Sequence, residues 1–201
     1  MIVVIGWLLA CAVSGPAVEP AAEPLPVLGT VPAFTLTDAT GAPVTTESLR
    51  GKVWVADFIF TSCPDVCPLL STHMAEVQAH YAPAAGRPDP GVRLVSFSVD
   101  PGTDTPPVLA AYGARFGADP ARWSFLTGPI DTIKPVVVDG FKMMLERVEA
   151  PAGTATPAPA TVLHGERFVV VDKAGRIRAY PDPKEPGKAE IYATVDALLA
   201  E

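Results

Sequence analysis

Residues 58–68 read Phe-Ile-Phe-Thr-Ser-Cys-Pro-Asp-Val-Cys-Pro, placing two of the chain's three cysteines in a C-x-x-x-C spacing between an apolar run and a helical pattern. Any fold must therefore turn strand into helix here with two thiols on the turn. A thiol pair at such a junction suits redox or soft-metal chemistry. Cys63 and Cys67 each precede a proline, which steers them toward extended backbone. Pro68 fits the first position of a helix, so the pattern predicts Cys67 as its N-cap. Its sulfur would then sit beside unpaired N–H groups and the positive end of the helix dipole, a setting that favours thiolate. The competing reading is two buried thiols acting as small hydrophobes, and the polar, Pro-rich character of the segment argues against it.

The runs KVWVADFIF (52–60) and VRLVSFSV (92–99) are nearly continuous in apolar residues, which predicts central strands covered on both faces. Before them, 34–37 and 42–45 alternate as a hairpin. Helical spacing follows from Pro68 to before Pro83, after Pro106, and over 130–141. A short strand is predicted at 123–128, a hairpin at 167–172 and 176–180, and a closing helix over 188–199. Strands alternating with helices, then a terminal hairpin and helix, make this an α/β chain. The expected architecture is a central mixed β-sheet flanked by helices, with an N-terminal β-hairpin extension. A thiol motif after the first central strand is where the thioredoxin fold carries its active site. The Ala/Pro/Thr-rich stretch 149–161 is expected as a loop.

A net charge of −7 offers no basic patch, so nucleic acid is not an expected partner. Residues 2–9 are apolar but shorter than the roughly 20 residues a membrane helix needs. They end in Leu8-Leu9-Ala10-Cys11, which resembles a bacterial lipobox and makes Cys11 a candidate for lipidation. The alternative for 1–11 is a plain membrane anchor. Both place the domain outside the cytoplasmic membrane, facing the periplasm or the cell exterior. Residues 12–27 read as a flexible linker and 28–201 as one domain. In an exported compartment an accessible thiol pair oxidises unless a thiol-reducing partner or a metal protects it.

Three segments in order, 61–68, 98–106, and His164 followed by 167–178, together resemble the Sco/SenC family of membrane-tethered copper chaperones with a thioredoxin-like fold. The likeness spans about residues 28–200. It implies copper, as Cu(I), Cu(II) or both, bound by Cys63, Cys67 and His164, with Asp100 in a supporting role. It also implies delivery to the subunit of cytochrome c oxidase that carries the binuclear copper centre. The chain departs from the family in stopping its N-terminal run at Cys11 instead of a full membrane helix, and in the composition of 149–161.

Two thiolates and an imidazole suit the soft, low-coordinate Cu(I) ion. The same thiols can form a disulfide if their Cα atoms come within about 4.4–6.8 Å. Thioredoxin-like reductases carry a cis-proline facing the thiols, whereas this chain reads Leu163-His164-Gly165 there, which favours metal handling. The loop 149–161 is expected to let His164 close on the ion and withdraw. Asp65 either tunes the cysteines or merely favours the turn. His73 and His80 read as solvated helix residues, and Met74, Met143 and Met144 as core. The rival function is a thiol:disulfide oxidoreductase with Cys63 and Cys67 as its redox pair. A peroxiredoxin-like peroxidase and a copper sensor are further alternatives.

Overall fold

The computed structural model describes residues 24–84, 88–148, 161–183 and 187–201. Its organising element is β4 (Trp54–Ile59), every residue of which is buried. Strand β5 (Arg93–Ser98) runs parallel to it and β6 (Trp123–Thr127) parallel to β5. On the other side β9 (Val169–Val171) pairs antiparallel with β4, and β10 (Arg176–Ala179) with β9. The predicted N-terminal hairpin forms as β2 (Thr35–Asp38) and β3 (Pro43–Thr45), and it docks on the free edge of β6. A two-residue strand, β1 (Gly29–Thr30), covers the edge of β10. The sheet is thus mixed and eight-stranded, in the order β1-β10-β9-β4-β5-β6-β2-β3. This is the thioredoxin-like α/β architecture that the sequence leads one to expect.

Side chains on β4 alternate between two covered faces. Trp54 and Phe58 point into an aromatic cluster with Phe34, Phe97 and Phe141, whose ring centroids lie 5.3–6.1 Å apart. Each such ring taken from water contributes about 1.5–3 kcal/mol. The opposite face receives α1 (Val66–His80) and α2 (Pro106–Arg115), which carry the buried Cys67, Leu70, Ser71, Met74, Leu109 and Tyr112. Helix α4 (Gly187–Ala200) packs beside α1, where the Tyr81 hydroxyl donates to Asp196 at 2.9 Å.

Two regions differ from expectation. The helix predicted over 130–141 is α3 (Ile130–Pro135) followed by a π-helical turn, Val136–Gly140. Pro135 has no amide hydrogen for the regular ladder, and the widened turn closes instead through Phe141 N–H to the Val136 carbonyl at 2.9 Å. A second hairpin, β7 (Leu145–Val148) and β8 (Thr161–His164), flanks the stretch read as a loop. Residues 149–160 and the whole of 1–23, including Cys11, lie outside the described residues. Among the described residues no helix is long and apolar enough to cross a membrane. Among the described residues, the carbonyls of Leu25 and Pro26 accept hydrogen bonds from Arg178.

Candidate functional site

Both motif cysteines stand at the end of β4 where the sheet delivers its chain into α1. Helix α1 begins at Val66 with Asp65 as its N-cap, so Cys67 is the second helical residue and not the cap. Pro68 is accommodated because amides anywhere in the first turn lack helical partners. This small shift reverses the expected chemistry. Cys67 is fully buried, and burial pushes its thiol well above the ordinary range. A backbone hydrogen bond from Phe60 opposes that shift, while contact with Cys63 adds to it. Cys63 is 9 % exposed. The two are not joined by a disulfide and lie within hydrogen-bonding reach of each other. The segment is therefore polar in sequence yet buries both sulfurs.

Phe60 organises the pair. Its carbonyl accepts the Cys63 N–H at 3.1 Å, and its own backbone reaches Cys67. Next to it, the Thr61 hydroxyl and amide both donate to Asp104, at 2.5 and 3.2 Å. Asp104 is wholly buried and also accepts from the Ser98 hydroxyl at 2.6 Å. Burial raises its pKa, against the opposing hydrogen bonds from Ser98 and Thr61. Asp100, the supporting residue expected from the second motif, is buried in the same turn. Its amide donates to Ser98 Oγ, and its carbonyl accepts from Thr103 and Asp104.

Beneath Cys67, on the helix-facing side of β4, lies Asp57. It is fully buried, and neither carboxylate oxygen has a hydrogen-bond partner in ordinary geometry among the described residues. Burial raises its pKa to about 7, and Ser96, its register partner on β5, offsets only part of this. Trp123 Nε1 donates to the Ser96 hydroxyl at 2.9 Å, and Ser71 and Tyr112 hydrogen-bond each other at 2.9 Å. Asp57 also acts electrostatically on both Cys67 and Tyr112.

The backbone of His164 ends β8, in register with Leu145 of β7; its side chain lies outside the described set. A Cβ at Gly165 would press on the Met143 sulfur, so a larger residue there would require the Met143 side chain to shift. Leu145 also borders a groove of about 440 Å³ with Val99, Pro101, Ile130 and Lys134, adjoining the turn that holds Asp100. Among the described residues no three His, Cys, Asp or Glu side chains gather closely enough to hold a metal ion. His73 is half-buried against Phe168, its Nδ1 without a partner among the described residues, and so is not the solvated residue expected. His80 is exposed but packs on Tyr81 and Tyr192, with centroids 4.7 and 4.5 Å away. Met74 and Met143 are core, whereas Met144 is 59 % exposed.

Asp57 and Asp104 escape a motif-based reading. The first has a local signal, a charged residue inside an otherwise apolar run. The second falls inside the 98–106 segment, but nothing local signals its role, since its partner Thr61 is 43 residues away.

Comparison with known proteins bears on this geometry. The SCO1/SenC family model matches residues 25–200. The crystal structure of a SCO1/SenC family lipoprotein from Bacillus anthracis str. Ames superposes with a TM-score of 0.72 at 32 % identity, covering 86 % of this chain and 96 % of that one. Bradyrhizobium japonicum ScoI with copper bound gives 0.69 at 28 %, covering 85 % and 99 %. BsSco, a member of the Sco family of cytochrome c oxidase assembly proteins in which a disulfide switch was identified, gives 0.68 at 30 %, covering 89 % and 98 %. With the family pattern running through almost all of its described domain, the chain belongs to the SCO1/SenC family.

Proposed function

We propose that this protein is a copper chaperone that holds copper through Cys63, Cys67 and His164 and passes it by ligand exchange to the binuclear copper centre of cytochrome c oxidase. The observation that carries the reading is the buried, unbridged pair Cys63 and Cys67, in mutual contact at the end of β4 in a SCO1/SenC chain. Support for the metal comes from the copper-bound relative, and for the acceptor from BsSco's family of oxidase assembly proteins. Two thiolates offer a soft chelate for Cu(I), and an imidazole at 164 completes a three-ligand set. Asp100 supports the site through the turn it shares with Asp104. Anaerobic Cu(I) titration of the reduced protein tests the ligand set. Cys63→Ser, Cys67→Ser and His164→Ala should each weaken binding, and parent-like binding by all three would overturn it.

The contact between the two thiols also favours a second reading, a thiol:disulfide oxidoreductase acting on partner cysteines and recharged by a thiol-reducing partner. Turnover on a protein disulfide that is undiminished in His164→Ala would select it. Anchoring at Cys11, with the domain facing the periplasm or cell exterior, accords with the lipoprotein relative. Metabolic labelling with a fatty acid, lost in Cys11→Ser, is the corresponding check.

A further inference from the structure

Asp104 lies outside the thiol motif, yet every hydrogen bond of its carboxylate bears on that motif or on the strand beside it. Oδ1 accepts the Thr61 hydroxyl at 2.5 Å and the Thr61 amide at 3.2 Å, and Oδ2 accepts the Ser98 hydroxyl at 2.6 Å. Ser98 ends β5, which is hydrogen-bonded along β4, and the Val99 amide donates to the Ile59 carbonyl at 2.8 Å. Asp104 is itself fixed, its amide donating to the Asp100 carbonyl at 3.0 Å, and it is wholly buried. Thr61 adjoins Phe60, whose backbone engages both Cys63 and Cys67.

We propose that Asp104 is a positioning residue for the thiol pair: by gripping Thr61 it fixes the Phe60 peptide groups that hold both cysteines, and so sets their spacing and relative reactivity. A carboxylate suits this task because it only accepts, and here three donors converge on two oxygens. An asparagine retains the grip on Thr61, since its oxygen accepts from Thr61 while its amide donates to Ser98 Oγ. An alanine abolishes it. The inference rests on the reading that Cys63 and Cys67 are the working site. It says nothing about which cargo or partner they serve.

The test uses the full-length reduced protein and two readouts. Alkylation by iodoacetamide, resolved by mass spectrometry at each cysteine, gives the Cys63-to-Cys67 rate ratio without metal. Competition with a Cu(I) chelator gives copper retention. Thr61→Val removes a partly exposed hydroxyl and keeps the side-chain volume, so it carries the test even where Asp104→Ala fails to fold. Thr61→Val and Asp104→Ala should each shift the rate ratio and weaken copper retention about 10- to 100-fold. Asp104→Asn should stay within about threefold of the parent, and Thr61→Val with Asp104→Ala should do no more than Asp104→Ala alone. An unchanged ratio in Thr61→Val, fully additive effects, or an Asp104→Asn variant as impaired as the alanine would each overturn the proposal. A parent that retains no copper overturns the chaperone reading instead, and the alkylation ratio still decides the role of Asp104.

Discussion

Two buried carboxylates on one sheet meet opposite fates. Asp172 follows β9 at the edge where β4 begins, with its side chain 4 % exposed. It accepts from Arg178 at 2.9 Å, from Arg176 Nε at 2.7 Å, and from the amides of Ala174 and Arg176. Burial works against its charge, but these donors outweigh burial and hold its pKa below the usual carboxylate range. Asp57, on β4 beneath Cys67, is as deeply buried but has no charged donor among the described residues, and Ser96 offsets only part of the burial, so its pKa rises to about 7. One end of the sheet spends its polar groups on closure. Arg178 there also binds Glu201 and the carbonyls of Leu25 and Pro26, joining both ends of the domain. The other end keeps a proton-binding group under a thiol pair and contributes nothing to closure by doing so. A buried acid is a stabilising element or a latent reactive one according to its donors alone.

The largest break in this contrast should come from the closing end. Asp172→Ala or Arg178→Ala leaves a buried charge without its partner and should cost about 3–5 kcal/mol in chemical denaturation. A near-neutral result would mean that the pair is solvated. Asp57→Asn should act in the other direction. An unfolded aspartate loses its proton near 3.8 and the folded one near 7, so the folded state binds the extra proton between these values and stability falls as pH rises across that window. The substitution should therefore stabilise by roughly 2–4 kcal/mol above pH 7 and do nothing below pH 4. A pH-independent gain would remove titration as its cause. Ser71→Ala is the smallest change. It leaves the buried Tyr112 hydroxyl without its 2.9 Å partner and should cost about 1–3 kcal/mol, with Tyr112→Phe on the same background recovering part of it.

Much of this was legible beforehand because long apolar runs have few ways to be buried. The segments 52–60 and 92–99 became β4 and β5, the Lys173-Ala174-Gly175 turn joined β9 to β10, and the thiols fell at the strand-to-helix junction. What escaped depends on tertiary contact. Strand β1 has two residues and exists only because β10 has an edge to cover. Strand β8 was hidden because its four residues adjoin a low-complexity stretch and find their pattern only opposite β7. The helix began two residues earlier than Pro68, and with that shift Cys67 passed from an exposed cap to the core. Met144, expected in the core, faces solvent instead.

The β7–β8 ladder carries a consequence for how the chain tolerates change in length. Four register pairs, from Leu145↔His164 to Val148↔Thr161, close the hairpin on the domain side of residues 149–160, with the Gly165 amide donating to the Met144 carbonyl at its base. The backbone position of His164 is thus set by pairing with β7, not by the number of residues beyond the ladder. Doubling such a connection costs only about 0.6 kcal/mol in closure entropy. Residues between 149 and 160 can be inserted or deleted by evolution or by an engineer while residue 164 keeps its place, whereas a single-residue indel within 145–148 or 161–164 would shift its register and turn it to the other side of the ribbon.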